Sequence, residues 1–179
     1  MRYAVFLRNV NLGRPNCPTR GQFEAAFLDA GAHTASSFLT NGTLVYEPAA
    51  GRSAQAVYEA ACEALRGVCG LKEPGFVRTV AYLSEVVATA PFAGVDPHDV
   101  YACCVSFLSS PEVVPPPLPM ASARRDVELV QVTPGEVLSV CRMVGNSPGS
   151  PNAFLEKLLG SPLSTRNWNT VVRLVARFA

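Results

Sequence analysis

The sequence predicts an α+β fold whose first half follows the ferredoxin-like order β-α-β-β-α-β, an antiparallel sheet with helices on one face. Three observations lead there. Short apolar runs suited to strands stand at 2–8, 35–40, 43–48 and 75–82. Apolar residues recur at helical spacing between them, at Phe23, Phe27 and Ala30 and again at Ala54, Val57, Tyr58, Ala61, Leu65 and Val68. The dipeptide Asn41-Gly42 separates the middle two strands, and both positions of a two-residue hairpin turn require positive φ.

Each element carries its own start or stop signal. The first strand ends in a polar loop, Asn9 to Pro18. Thr19 and Gln22 have capping-box spacing, so the first helix begins after Thr19. Gly31 and Gly70 suit helix ends, where a left-handed residue closes the last turn.

The second half predicts a degenerate second α/β unit of similar pattern. A short helix is expected from Ser84 to about Thr89, and a strand over 100–108. Pro115, Pro116, Pro117 and Pro119 exclude a regular helix through 111–119. Strands 127–132 and 137–143 form a hairpin around Pro134-Gly135. Ser150 and Pro151 read as N-cap and first residue of a helix to Leu159. Trp168, Val171, Val172, Val175 and Phe178 form the apolar stripe of a last helix, with Ser164 or Thr165 as its N-cap. The expected organisation is a ferredoxin-like subdomain over 1–82 and a second α+β subdomain over 83–179, packed as one compact unit.

Composition narrows the function classes. The chain has 179 residues, 49% apolar and 16% charged, with a net charge of +1. This excludes a disordered chain and argues against a broadly basic nucleic-acid surface. No segment reaches about 18 apolar residues without charge, so no membrane helix is expected. Charge interrupts the opening apolar run too early for a signal peptide. Six cysteines, none in C-x-x-C spacing, and only two histidines point to reduced, structural thiols, no metal site, no cofactor and a cytoplasmic protein. Cys17 stands in the opening loop without a sign of activation, Cys103 and Cys104 read as core residues, and His98 reads as structural. Of the 15 cationic side chains 13 are Arg. Base composition accounts for the bias as a whole, while a few Arg could build an anion site.

Topology indicates where. In the βαββ order the loop after the first strand and the hairpin tip lie at the same end of the sheet. Arg8, Asn9, Asn11 and Gly13 are thereby placed near Asn41, Gly42 and Thr43. These offer hydrogen-bond donors, one fixed positive charge and glycines that let a ligand approach the backbone. The bland alternative is turn chemistry plus an ion pair between Arg8 and a nearby carboxylate. The second candidate is Thr165, Arg166 and Asn167, read as the N-terminus of the last helix, where free N–H groups favour an anion. The signatures of common hydrolases, nucleotide-binding loops and zinc peptidases are absent, so no catalytic residue or reaction is assigned.

The same segments carry a resemblance. Phe6-Leu7-Arg8-Asn9-Val10-Asn11-Leu12-Gly13-Arg14 is similar to L-L-R-G-I-N-V-G-G. Ser37 to Tyr46 is similar to a segment T-Y-I-Q-S-G-N-V-V-F. Glu156 to Gly160 and Ser164-Thr165-Arg166-Asn167-Trp168-Asn169-Thr170 are similar to E-K-x-L-G and T-T-R-N-W-N-T. The chain thus resembles the family catalogued as domain of unknown function 1697. Asn9 and Arg14 stand where that family usually has Gly, and Asn41 and Thr43 replace its Ser and Asn around Gly42. The resemblance implies a compact α+β protein and no activity.

Three functions compete. The first is a binding protein for a small anionic or polar ligand, an enzyme included, recognised by Arg8, Asn11, Asn41 and Arg166, with those segments converging. The second is an interaction or homodimerisation protein, marked by an exposed apolar sheet face. The third is RNA binding on the sheet, against which stand a single aromatic in Thr43-Leu44-Val45-Tyr46 and the small net charge.

Overall fold

The computed structural model describes residues 1–109, 113–114 and 116–179. The chain divides into two compact units, 1–83 with 178–179, and 84–177. The fold is α+β.

In the first unit β1 (Tyr3–Leu7), β2 (Ala32–Phe38), β3 (Thr43–Pro48) and β4 (Gly75–Thr79) form one sheet in the order β2-β3-β1-β4. Every pairing is antiparallel. Between strands run α1 (Arg20–Asp29) and α2 (Ala54–Cys69). The arrangement is compatible with the ferredoxin-like one. Alternation along the strands sends Val5, Leu7, Leu44 and Tyr46 to one face. There they join Phe23 and Phe27 of α1 and Val57, Ala61 and Leu65 of α2 in a single core. Both helices start where local chemistry directs. Thr19 and Gln22 form a reciprocal capping box, and Ser53 caps α2, which closes on Gly70 at φ +72°.

On each edge of this sheet helix side chains bind the backbone of one residue, Ser37 on β2 and Gly75 on β4. On edge strand β2, the N–H of Ser37 donates to Glu24 Oε1 at 2.8 Å, and its carbonyl accepts from Arg20 at 2.9 Å. On the other edge, the Tyr58 hydroxyl accepts from Gly75 N–H at 2.8 Å and donates to its carbonyl at 3.1 Å. Unpaired edge groups invite further strands, and here α1 and α2 occupy those of Ser37 and Gly75. Glu24→Ala is expected to cost about 1–2 kcal/mol, because it strips Ser37 N–H of a charged acceptor. Sedimentation velocity over rising concentration tests the accompanying expectation, self-association through the opened β2 edge.

Three boundaries differ from the sequence reading. First, β2 and β3 are joined by four residues, since Phe38 pairs with Thr43. Positive φ falls on Leu39 (60°) and Gly42 (70°) and not on Asn41, so the two-residue turn is not formed. The tip is held from outside, through the N–H of Leu7 donating to Gly42 O at 2.9 Å, and need not close on itself. Second, β4 ends at Thr79, and the next helix, α3, runs Val80–Ala88 instead of starting at Ser84. Thr79 Oγ1 accepts from Tyr82 N–H at 3.1 Å and serves that helix start. Third, β2 begins at Ala32.

The second unit holds β5 (Ala102–Leu108), β6 (Val127–Val132) and β7 (Glu136–Cys141). After them come a two-residue pair, β8 (Met143–Val144) and β9 (Ser147–Pro148), then α4 (Pro151–Leu159), β10 (Leu163–Asn167) and α5 (Trp168–Phe178). The sheet order is β10-β5-β7-β6, again wholly antiparallel. By order of appearance this is the same arrangement as in the first unit, with the fourth strand beside the first. Where the first unit has α1, the second has the proline-rich segment, in which the described residues form no helix. Pro111, Glu112 and Pro115, within the stretch 111–119 read as non-helical, lie outside the described residues. Leu155 of α4 covers one end of the sheet with Leu108, Leu129, Val137 and Leu163. Ser150 and Pro151 open α4 as the sequence indicates.

β10 overturns the reading of 163–167. These residues pair with β5 from Leu163↔Leu108 to Asn167↔Cys104, so Ser164 and Thr165 are strand residues and not helix caps. The helix start falls to Asn167, whose Oδ1 accepts from Asn169 N–H at 3.0 Å.

Candidate functional site

At the C-terminal end of β1 the chain enters the loop that carries most of the candidate residues. Backbone hydrogen bonds stitch this loop to the hairpin tip. Leu7 N–H donates to Gly42 O at 2.9 Å, and Leu12 N–H donates to Thr40 O at 2.8 Å. The juxtaposition of the opening loop and the hairpin is therefore realised. Gly42 is required where it stands, because a Cβ there would lie 2.7 Å from Val10 Cβ and 3.2 Å from Leu7 Cβ. Gly13, at φ +81°, has open space where a Cβ would stand, and its N–H donates to Pro18 O at 2.9 Å.

The side chains divide between holding the loop and facing outward. Arg8 binds Glu73 at 2.6 Å, in a half-buried pair that ties the opening loop to the α2–β4 connection. Its charge is thus engaged, as the structural alternative expects. Asn9 adopts φ 52° and lies exposed, as does Asn11, whose carbonyl accepts from Arg14 N–H at 3.1 Å. Thr43 is fully buried opposite Phe6 and cannot face a ligand. Asn41 is half-buried, and among the described residues its Oδ1 has no hydrogen-bond partner.

Two cavities flank the loop. One, of about 320 Å³, is lined by Leu12 and Gly13 from the loop, Leu39 and Thr40 from the hairpin tip, and Thr19 and Arg20 from the start of α1. The capping box occupies the N–H groups of Thr19 and Gln22. Those of Arg20 and Gly21 belong to the open donors of a first helical turn. No acidic residue stands in that turn. The second cavity, of about 290 Å³, lies on the loop's other side and includes Asn9, Asn16, Cys17, Gly70, Lys72 and Glu73. Sequence reasoning missed Arg20, Lys72 and Asn16. Arg20 was legible only as a helix residue. Lys72, one of just two lysines, reaches the loop through the connection after α2.

The segment Thr165-Arg166-Asn167 belongs to the second unit. Arg166 is buried, and its guanidinium donates to Ser164 Oγ at 2.8 Å and to Thr165 O at 2.9 Å. Burial pushes its pKa down to about 10, which leaves it cationic at neutral pH. Thr165 Oγ1 lies 2.8 Å from Ser106 Oγ and donates to Asn152 Oδ1 at 3.2 Å. Asn167 is exposed. The anion site expected at a helix N-terminus is not built here, because the residues form a strand and the guanidinium is turned into the protein. All six cysteines are free thiols. Among the described residues no group of three or more His, Cys, Asp or Glu is placed to hold a metal ion.

The model of a family described as a protein of unknown function, DUF1697, matches residues 1–137. The chain belongs to this family. The matched span contains the opening and hairpin motifs, while the closing motif at 156–170 lies beyond it. Among solved structures, the chain is similar to a conserved bacterial protein, SP0830 from Streptococcus pneumoniae, at 16% identity. The similarity covers 98% of this chain and 97% of that one, with a TM-score of 0.64. It shows a shared fold. No curated protein matches the chain. No described helix is long and apolar enough to cross a membrane.

Proposed function

We propose that the chain binds a small anionic ligand in the cavity between the opening loop, the hairpin tip and the start of α1. The observation that carries this reading is the convergence of Gly13, Thr40, Thr19 and Arg20 on one cavity of about 320 Å³. A helix N-terminus directs N–H groups and a positive dipole end toward such a ligand. Arg20, which donates to Ser37 O and lies 3.4 Å from Glu24 Oε1, has further guanidinium N–H groups suited to phosphate or carboxylate. Gly13, left-handed and unobstructed, permits close approach of the backbone. A volume of this size suits a metabolite and not a polymer.

The test is a thermal-shift titration with inorganic phosphate and with small mono- and dicarboxylates. At least one is expected to raise the melting midpoint, and Arg20→Gln is expected to weaken that response about tenfold or more, the scale of one charged hydrogen bond. Lys72→Ala, in the neighbouring cavity, is expected to leave it unchanged. A response abolished by Lys72→Ala and untouched by Arg20→Gln would move the site to the other side of the loop and defeat this reading.

A further inference from the structure

In the second unit, two buried sulfurs face one another. Cys104 of β5 stands opposite Ser139 of β7, and Cys141 follows two residues later on the same face of the sheet. The Sγ atoms are 3.7 Å apart. Cys104 is 8% exposed, and Cys141 and Ser139 are essentially inaccessible. A second, independent feature marks the place. Among the described residues Ser139 Oγ is buried without a hydrogen-bond partner, an arrangement that costs free energy.

We propose that Cys104 and Cys141 form a reversible dithiol–disulfide couple, oxidised by a hydroperoxide. Four observations support it. The sulfurs are already in contact, so closure to a bond of about 2.05 Å needs a shift of less than 2 Å shared between two side chains. The two residues are diagonal neighbours on adjacent antiparallel strands, a spacing of about 7–8 Å between Cα atoms, so closure turns both side chains and draws the strands together locally. The contact is polar in sense: hydrogen bonding from Cys104 favours the Cys141 thiolate and raises the Cys104 thiol, against the opposing effects of burial and Asp126 on Cys141. Last, the unpartnered Ser139 hydroxyl, on the same strand and face, can serve an oxygenated sulfur intermediate.

The chemistry balances in two steps. In a local opening of the sheet that admits the peroxide, the Cys141 thiolate attacks one peroxide oxygen, the O–O bond breaks, and the released hydroxide or alkoxide takes up a proton, leaving Cys141 as sulfenic acid. The Cys104 sulfur then attacks the Cys141 sulfur. The S–S bond forms, the S–O bond breaks, and the departing hydroxide leaves as water with the Cys104 proton. Two thiols lose two electrons and the hydroperoxide gains them. The product links β5 to β7 across 37 residues of sequence, which restricts the unfolded chain and raises stability.

The experiment is hydrogen peroxide treatment of the purified full chain, blocking of residual thiols with iodoacetamide, then intact mass and peptide mapping. The expected result is two fewer alkylated cysteines than in the untreated chain and a Cys104–Cys141 cross-linked peptide about 2 Da lighter than its two reduced parts together, reversed by a thiol reductant. A higher melting midpoint accompanies it. Cys104→Ser is expected to remove the cross-link and leave Cys141 singly oxygenated, whereas Cys141→Ser is expected to remove both the cross-link and the oxygenation. Recovery of both residues as alkylated free thiols, their separate oxygenation in the unsubstituted chain, or a bridge from either to a different cysteine overturns the proposal. The reading on the unsubstituted chain stands whether or not the variants fold.

Discussion

Replacing Phe27 with alanine is expected to destabilise the protein by about 3–5 kcal/mol. Phe27 has no exposed surface and lies on the face of α1 that meets the sheet. Its ring contacts two others, Phe23 edge-on at a centroid distance of 5.7 Å and Tyr46 at 4.9 Å. Removal leaves a cavity between a helix and the middle of a sheet, and neither collapses easily because both are fixed by backbone hydrogen bonds. Tyr46 is itself anchored, its hydroxyl donating to Ala54 O at 2.9 Å. Burial and its neighbours hold that hydroxyl far above its ordinary pKa, so it does not ionise and the contact persists through mildly alkaline pH. Urea unfolding followed by fluorescence and circular dichroism measures the loss. A cost under about 1 kcal/mol would mean that the site can repack, and that the core around Phe27 is not rigid.

Gly42→Ala is the second large effect, and it acts on the candidate site directly. At φ +70° an L side chain is strained, by about 1–2 kcal/mol. The added carbon would also meet Val10 Cβ at 2.7 Å and Leu7 Cβ at 3.2 Å, which are buried stems and not flexible tips. Overpacking of this kind adds about 1–3 kcal/mol. The total expected loss is about 2–5 kcal/mol, measured by the same unfolding assay. Because Gly42 O accepts from Leu7 N–H, the strain is relieved most easily by parting the hairpin tip from the opening loop. That opens the wall formed by Leu39 and Thr40. Response to the anion in the thermal-shift assay is therefore expected to fall along with stability. Gly13→Ala isolates the backbone-strain part of the stability loss, since its carbon would meet nothing within 4 Å and only the strain at φ +81° remains.

The features legible in the sequence are those whose physics is local. Thr19 with Gln22, Ser150 with Pro151 and the left-handed Gly70 mark helix ends through bonds within four residues. Periodicity along 54–69 places Val57, Ala61 and Leu65 in the core because one turn repeats the next. The hairpin at Asn41-Gly42 was legible as a reversal and misread in its geometry. Its φ values follow from the bond between Leu7 and Gly42, which are 35 residues apart.

The closing motif shows the same limit more sharply. Ser164, Thr165 and Asn167 have the side chains of helix caps, and a cap is what local preference predicts. Pairing with β5 along five positions prevails, since it satisfies backbone groups that a cap would leave to water. Arg166 then alternates inward, where no local signal announces a buried cation. Likewise Arg20 and Glu24 read as an ordinary i,i+4 pair on a helix surface, and only the position of β2 makes them its edge partners.

By itself, the sequence determined the α+β class, the order of elements in the first half, the start of most helices and the meeting of two polar loops. Family membership was legible there too, in motifs that span both loops. Tertiary structure alone decided which polar groups are available. It placed Arg8 against Glu73, buried Thr43 and Arg166, left Gly13 and Arg20 on a cavity, and brought Cys104 to Cys141. The physical reason is range. Helix caps and periodicity depend on neighbours within a few residues, whereas burial, charge pairing and contact between strands depend on residues 37 to 65 positions apart, which no local pattern encodes.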